Sequence, residues 1–166
     1  MLIYVGDSGN VVKRILINHC SGNVEGSALR KHIAKEMGFD ILREVRKSGS
    51  TKYRINLPNP LDGEKIITEY IRSGWWKYVI CDSMKEAKGF QWYAIEKLDP
   101  LLNINRKSWD ETEALQYKEL LEELQGSEVL HCNKLREKPT GPGVYALYHN
   151  MEPRSCRKVV GKMEMV

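Results

Sequence analysis

Apolar residues fall in short groups separated by polar turns, and the spacing inside each group predicts the element it forms. Leu2-Ile3-Tyr4-Val5 is an apolar run that stops on Gly6, which predicts a strand. Gly-Asp-Ser-Gly-Asn follows as a turn whose serine or asparagine can cap a helix over 11–19. Ser27 then caps a helix over 28–37, where Leu29, Ile33 and Met37 recur every fourth residue as one buried stripe, and Gly38 ends it. Residues 43–57 read as two extended runs about Ser48-Gly49-Ser50, with Tyr53, Ile55 and Leu57 on one face and Lys52, Arg54 and Asn56 on the other.

The second half alternates in the same way. A helix closed by Gly74 leads into Trp75-Trp76-Lys77-Tyr78-Val79-Ile80, whose aromatic and β-branched content predicts a central strand. Ser83 opens a helix that Pro100 stops. An acidic amphipathic helix follows, with Leu115, Leu120, Leu121 and Leu124 as its apolar face. The last stretch has a Pro-Gly turn, a strand over 144–149, a polar loop and a strand over 157–163, so it predicts a second hairpin. The fold class is α+β: a small antiparallel sheet flanked by helices, with a basic hairpin inserted.

Composition narrows this picture only in places. At 166 residues with 42% hydrophobic content the chain can bury one good core plus an appendage. No apolar run approaches the length of a membrane span and no leader pattern opens the chain, which predicts a cytoplasmic protein. The four cysteines form no C-x-x-C pair, and the two adjacent His-Cys pairs point neighbouring side chains apart, so their spacing marks no zinc motif. The net charge of +4 is polarised: residues 10–54 hold ten Lys or Arg against four Asp or Glu, whereas 110–128 hold seven acids and one lysine. A basic N-terminal third suits a phosphate-backbone partner. Arg46, Lys47, Lys52 and Arg54 of the hairpin are candidate DNA contacts, weighed equally against a solvated edge strand defended by lysines. Trp75, Trp76 and Trp92 are expected in the core.

Tyr4-Val5-Gly6, Arg14 eight residues on, a second helix at 27–38, and a helix at 86–98 running to Pro100 and Asn103 occur in this order. Together they resemble the GIY-YIG nuclease superfamily, which includes excision-repair nuclease subunits, homing endonucleases and restriction enzymes. Tyr4-Val5-Gly6 is similar to the second half of the signature. The first half is found at the back, as Gly143-Val144-Tyr145. A circularly rearranged domain, a hairpin exchanged between two chains of a homodimer, and a remnant of another copy each account for that order. The resemblance divides the chain into a nuclease-like core over 1–108 with the hairpin at about 43–57, the acidic helix at 109–126, and a hairpin at 139–166 that completes or extends the core.

What the resemblance implies is metal-dependent hydrolysis of DNA phosphodiesters. Tyr4 or Tyr145 would act as the base and Arg14 as the phosphate clamp. His19 falls one place after the position where the family often has a His or Tyr, while Gly6 and Asn103 would support the site. The departure is at the metal ligand. Aligning Pro100 and Asn103 without a gap places Gln91 where the family has its glutamate. An amide is a poor ligand for a hard cation, so Mg2+ or Mn2+ is expected to bind weakly. Glu86 and Glu96 are each five residues away, about 140° around the helix, and do not replace it. Two readings follow: a DNA endonuclease, impaired if the amide stands in for the ligand, and a non-cleaving DNA-binding module or subunit of a restriction or repair system.

Overall fold

The computed structural model describes residues 1–157 and 161. The chain divides into two compact units, one of Met1–Leu16 with Gly74–Asn150 and one of Ile17–Ser73 with the chain from Met151 onward.

The first unit is built on a three-stranded antiparallel sheet of order β1-β5-β4, with β1 at Leu2–Ser8, β4 at Trp75–Ile80 and β5 at Gly143–Tyr148. All three strands were expected, but their order differs in one respect. Trp75–Ile80 is an edge, and the centre belongs to β5, which pairs Gly6 with Tyr145 on one side and Tyr78 with Tyr145 on the other. Both outer edges are covered. Trp76 exchanges backbone hydrogen bonds with Leu130 at 2.7 and 2.9 Å, and Leu101 and Leu102 donate to Leu2 and Ile3. Covering leaves neither edge strand as a template for foreign pairing. Because β5 finds both partners in its own chain, no exchange between chains is needed to complete this sheet.

Side chains alternate along a strand, so the ladder sorts them into two faces. Tyr4, Gly6, Tyr78 and Tyr145 share one face. Val5, Asp7, Val79, Val144 and Ala146 share the other. Against that second face pack helix α4 (Met84–Leu98), through Ala87, Phe90 and Ala94, and helix α5 (Ala114–Gly126), through Tyr117, Leu120 and Leu124. Leu115, expected on the apolar face of α5, is exposed. Ser83 caps α4 as predicted, accepting from Glu86 N, and Asp99 ends it in the left-handed conformation before Pro100. No described helix is long and apolar enough to cross a membrane.

The second unit holds α2 (Ala28–Met37), the strands β2 (Ile41–Val45) and β3 (Thr51–Ile55), and α3 (Pro60–Ser73). Ser27 caps α2 and Gly38, at φ 94°, ends it, both as expected. In the β2-β3 register Ile41 stands opposite Ile55, Arg43 opposite Tyr53 and Leu42 opposite Arg54, so each face of the hairpin mixes apolar and charged residues. Leu29, Ile33, Met37, Ile55, Ile67 and Ile71 form the core. Arg30 is wholly buried beside them: it donates to Glu64 Oε2 at 2.7 Å, to Glu64 O and to His19 O. The second strand expected for the C-terminal hairpin falls largely outside the described residues; Arg157, which is described, has helical dihedrals.

Candidate active site on the tyrosine face of the sheet

Gly6 and Tyr145 lie directly opposite each other in the β1-β5 ladder, and the glycine is required by what the tyrosine does. A Cβ at position 6 would stand 2.5 Å from the Tyr145 hydroxyl and 2.6 Å from Cζ. The phenol therefore crosses the bare backbone of β1. Its ring is 2% exposed, held between Trp76 at 5.9 Å and Tyr4 at 6.5 Å between centroids.

Arg14 reaches the same place from the helix that follows β1. Asn10 caps α1 (Val11–Lys13) by accepting from Lys13 N, and Val11 N and Val12 N donate to Gly141 O and Thr140 Oγ1 just ahead of β5. The helix is thereby fastened to the turn that opens the Tyr145 strand. From Arg14 to His19 the winding widens to a π-helix, a form that recurs at functional sites. The Arg14 guanidinium donates a hydrogen bond to the Tyr145 hydroxyl. Burial raises the pKa of Tyr145 and of Tyr4, and the charge of Arg14 only partly opposes it. Both phenols thus keep their protons at neutral pH.

Asn103 supports this arrangement from the far edge of β1. Its Oδ1 accepts from Val5 N and its Nδ2 donates to Val5 O, both at 2.9 Å, so the side-chain amide acts as one more residue of strand. Asp7 is a residue that sequence reasoning passed over, although Val5-Gly6-Asp7 stood out as a pattern. It is partly buried next to the site, and desolvation raises its pKa while Lys88 and Arg14 pull it down.

Two tyrosines at a Val-Gly-Asp and a Gly-Val-Tyr strand, paired across a glycine and joined to an arginine one helix turn downstream, reproduce a known signature in space. A family model described as the GIY-YIG catalytic domain matches residues 1–126. The chain belongs to the GIY-YIG family. No curated protein and no solved structure matches it. The match ends before β5, so the strand carrying Tyr145 comes to the GIY-YIG site from outside the matched span, through its pairing with β1.

GIY-YIG nucleases work with a divalent metal, and the residues present here fit one poorly. Gln91 lies on α4, half-buried, and its neutral amide makes no hydrogen bond among the described residues. Those residues contain no cluster of three or more His, Cys, Asp or Glu. Asp7, a carboxylate close enough to act on Tyr4, is already under the influence of two cations, Lys88 and Arg14, which disfavour a third.

The remaining predicted residues sit in the second unit. His19 is buried, with Nδ1 2.7 Å from Ser27 Oγ, an arrangement that orients the ring as part of the α2 cap. In the hairpin, Arg46 pairs with Glu25 at 2.5 Å and donates to Thr51 O, and Arg54 pairs with Glu44 at 2.9 Å. Lys47 and Lys52 are exposed and form no ion pair among the described residues. Two of the four cations are therefore partly neutralised by glutamates that the alternation pattern could not assign as partners.

Proposed function

We propose that this chain is an endonuclease-type GIY-YIG domain that binds the DNA backbone at Tyr4, Arg14 and Tyr145, with cleavage impaired by the amide at position 91. The observation that carries the reading is the contrast between an intact half and a missing half. The Arg14 hydrogen bond to Tyr145 over Gly6 keeps the phosphate-handling group in place, whereas no carboxylate stands at position 91. A guanidinium presents parallel N–H donors matched to two phosphate oxygens, and the phenol beside it orients them. With both pKa values raised, Tyr4 serves as a neutral hydrogen-bond donor to a phosphate or a water while buried Tyr145 stays neutral beside Arg14, which argues against the phenolate base that the sequence suggested. The exposed hairpin lysines Lys47 and Lys52, in the second unit, are a separate candidate for phosphate contacts.

The test compares the protein with Gln91→Glu on supercoiled plasmid in Mn2+ or Mg2+, with binding followed separately on a short duplex. Cleavage by the variant, at least tenfold faster than by the unaltered chain, is the expected result, together with duplex binding by both proteins that weakens in Arg14→Ala. Equal cleavage by both proteins would show that position 91 is not the metal position. Absence of DNA binding by either would end the reading.

A further inference from the structure

Helix α4 runs antiparallel to β1. At one end Met84 Sδ lies 3.6 Å from where a Cβ on Gly9 would stand; at the other, just past the helix, Leu101 N donates to Leu2 O. Met84, Lys88 and Gln91 follow one another at i, i+4 and i+7, so they share a face. Lys88 is one turn along from Met84, about 6 Å, which brings it level with Asp7. Gln91 lies about 4.5 Å further on, level with the Val5-Gly6 step. The electrostatic influence of Lys88 on Asp7 agrees with that placement.

Lys88 is exposed and, among the described residues, takes part in no hydrogen bond or ion pair. Gln91 is likewise without a partner among them. One residue beyond Gln91, the Trp92 ring carries the ammonium of Lys107 at 5.4 Å. Position 91 is therefore flanked by two lysines, and Asp7, which faces Lys88, is also under the influence of Arg14. A divalent cation placed at position 91 would meet a neutral amide and two ammonium groups, against the single carboxylate of Asp7 that Lys88 and Arg14 already offset. A phosphodiester placed there would meet an ammonium and an amide N–H donor.

We propose that Lys88 takes over the charge role of the absent metal, so that α4 holds a backbone phosphate of DNA through Lys88 and Gln91, with Lys107 extending the contact, and binding requires no divalent ion. The proposal rests on the DNA-binding reading above and identifies what replaces the metal in it. No bond is made or broken in this step. The ammonium neutralises a phosphate oxygen and releases condensed counterions from the duplex.

The experiment measures binding of a fluorescent duplex by anisotropy from 50 to 200 mM NaCl, in EDTA and in 2 mM Mg2+, for the unaltered protein and for Lys88→Ala, Arg14→Ala and Lys118→Ala. The last removes an exposed charge from α5 as a control for net charge. Expected are affinities within twofold in EDTA and Mg2+, a loss of about five- to tenfold in Lys88→Ala, and a salt slope shallower by about one for that variant but not for Lys118→Ala. A second readout needs no DNA. Mn2+ bound to the protein, followed by electron paramagnetic resonance, should be absent in the unaltered chain at 1 mM ion. It should be weak in Gln91→Glu and at least tenfold tighter in Lys88→Ala/Gln91→Glu, where the repelling ammonium is gone.

Binding that Arg14→Ala weakens but Lys88→Ala leaves unchanged would overturn this proposal while preserving the DNA-binding reading. So would affinity lost in EDTA, or Mn2+ bound by the unaltered protein. No binding in any condition would overturn both.

Discussion

Gly6→Ala tests the geometry on which the site is built. The new methyl would stand 2.5 Å from the Tyr145 hydroxyl and 2.6 Å from Cζ, where ordinary contact begins near 3.4 Å. The ring must therefore move by about 1 Å, and it has nowhere to go, being packed between Trp76 and Tyr4. Overpacking of this kind costs about 1–3 kcal/mol. Gly6 does not adopt a positive φ, so alanine introduces no backbone strain and recovers about 0.5–1 kcal/mol by restricting the unfolded chain. The net loss is then about 0–2.5 kcal/mol, and displacement of the phenol breaks its bond from Arg14, so DNA affinity falls as well. Urea denaturation of a double-mutant cycle isolates the cause. In a Tyr145→Leu background the clash is gone and Gly6→Ala should be neutral or slightly stabilising, reversing its sign. Equal costs in the two backgrounds, or a stabilising Gly6→Ala in the unaltered chain, would refute the close approach.

Other outcomes follow from single contacts. Asn103→Ala removes both hydrogen bonds to Val5 and leaves the edge of β1 open, which should cost about 1–3 kcal/mol in chemical denaturation and weaken DNA binding through Tyr4. Arg30→Ala strands the buried side of Glu64 and the His19 carbonyl, with an expected loss of about 3–5 kcal/mol, and Arg30→Met/Glu64→Leu should recover only part of it, because the His19 carbonyl and Val24 N, which donates to Glu64 Oε1, are left unpaired. Tyr145 and Tyr70 have folded pKa values raised above the ordinary 10.0, chiefly by burial. Below pH 10 folded and unfolded chains bind these protons equally. Above it the unfolded chain releases them first, so stability should be full up to pH 10 and fall as pH rises further. Phenolate absorbance should lag behind that of the denatured chain over the same range, and coincident titrations would contradict the burial.

Local signals in the sequence were well matched by local structure. Asn10, Ser27 and Ser83 cap helices because short polar side chains satisfy the first free N–H groups, and Gly38 ends α2 because a left-handed residue is needed there. What alternation could not reveal was the order of strands. Trp75–Ile80 reads as central because its residues suit a buried surface, yet Leu130 covers its outer side and β5 takes the middle. Burial reports how covered a strand is, not how many strands flank it. Arg30 was invisible for a related reason: on a helix an arginine reads as solvent-facing, and its partner Glu64 is 34 residues away. The π-winding of Arg14–His19 leaves no mark in composition, since only the hydrogen-bond register changes. At the site, the tyrosine and arginine positions were legible through the family signature, whereas the depth at which Tyr145 lies, and the raised pKa that follows, depend on Trp76 and Gly6 both lying against its ring.

The order of the two signature strands has a physical reading in the ladder itself. The GIY-like strand comes last in this chain and the YIG-like strand first, yet they pair antiparallel as a hairpin would, and Met1 and His149 exchange backbone hydrogen bonds of 2.9 and 3.0 Å. Met1 and His149 thus lie on adjacent backbones where a family hairpin would have its connecting loop. Bringing these ends together over 148 residues instead of about ten adds roughly four doublings of loop length, about 2 kcal/mol of closure entropy. Contacts across the sheet offset that cost: β5 is hydrogen-bonded on both sides, and the turn before it holds Val11 and Val12 of the arginine-bearing helix. In this strand order Tyr4, Tyr145 and Arg14 still come together at one place on the sheet.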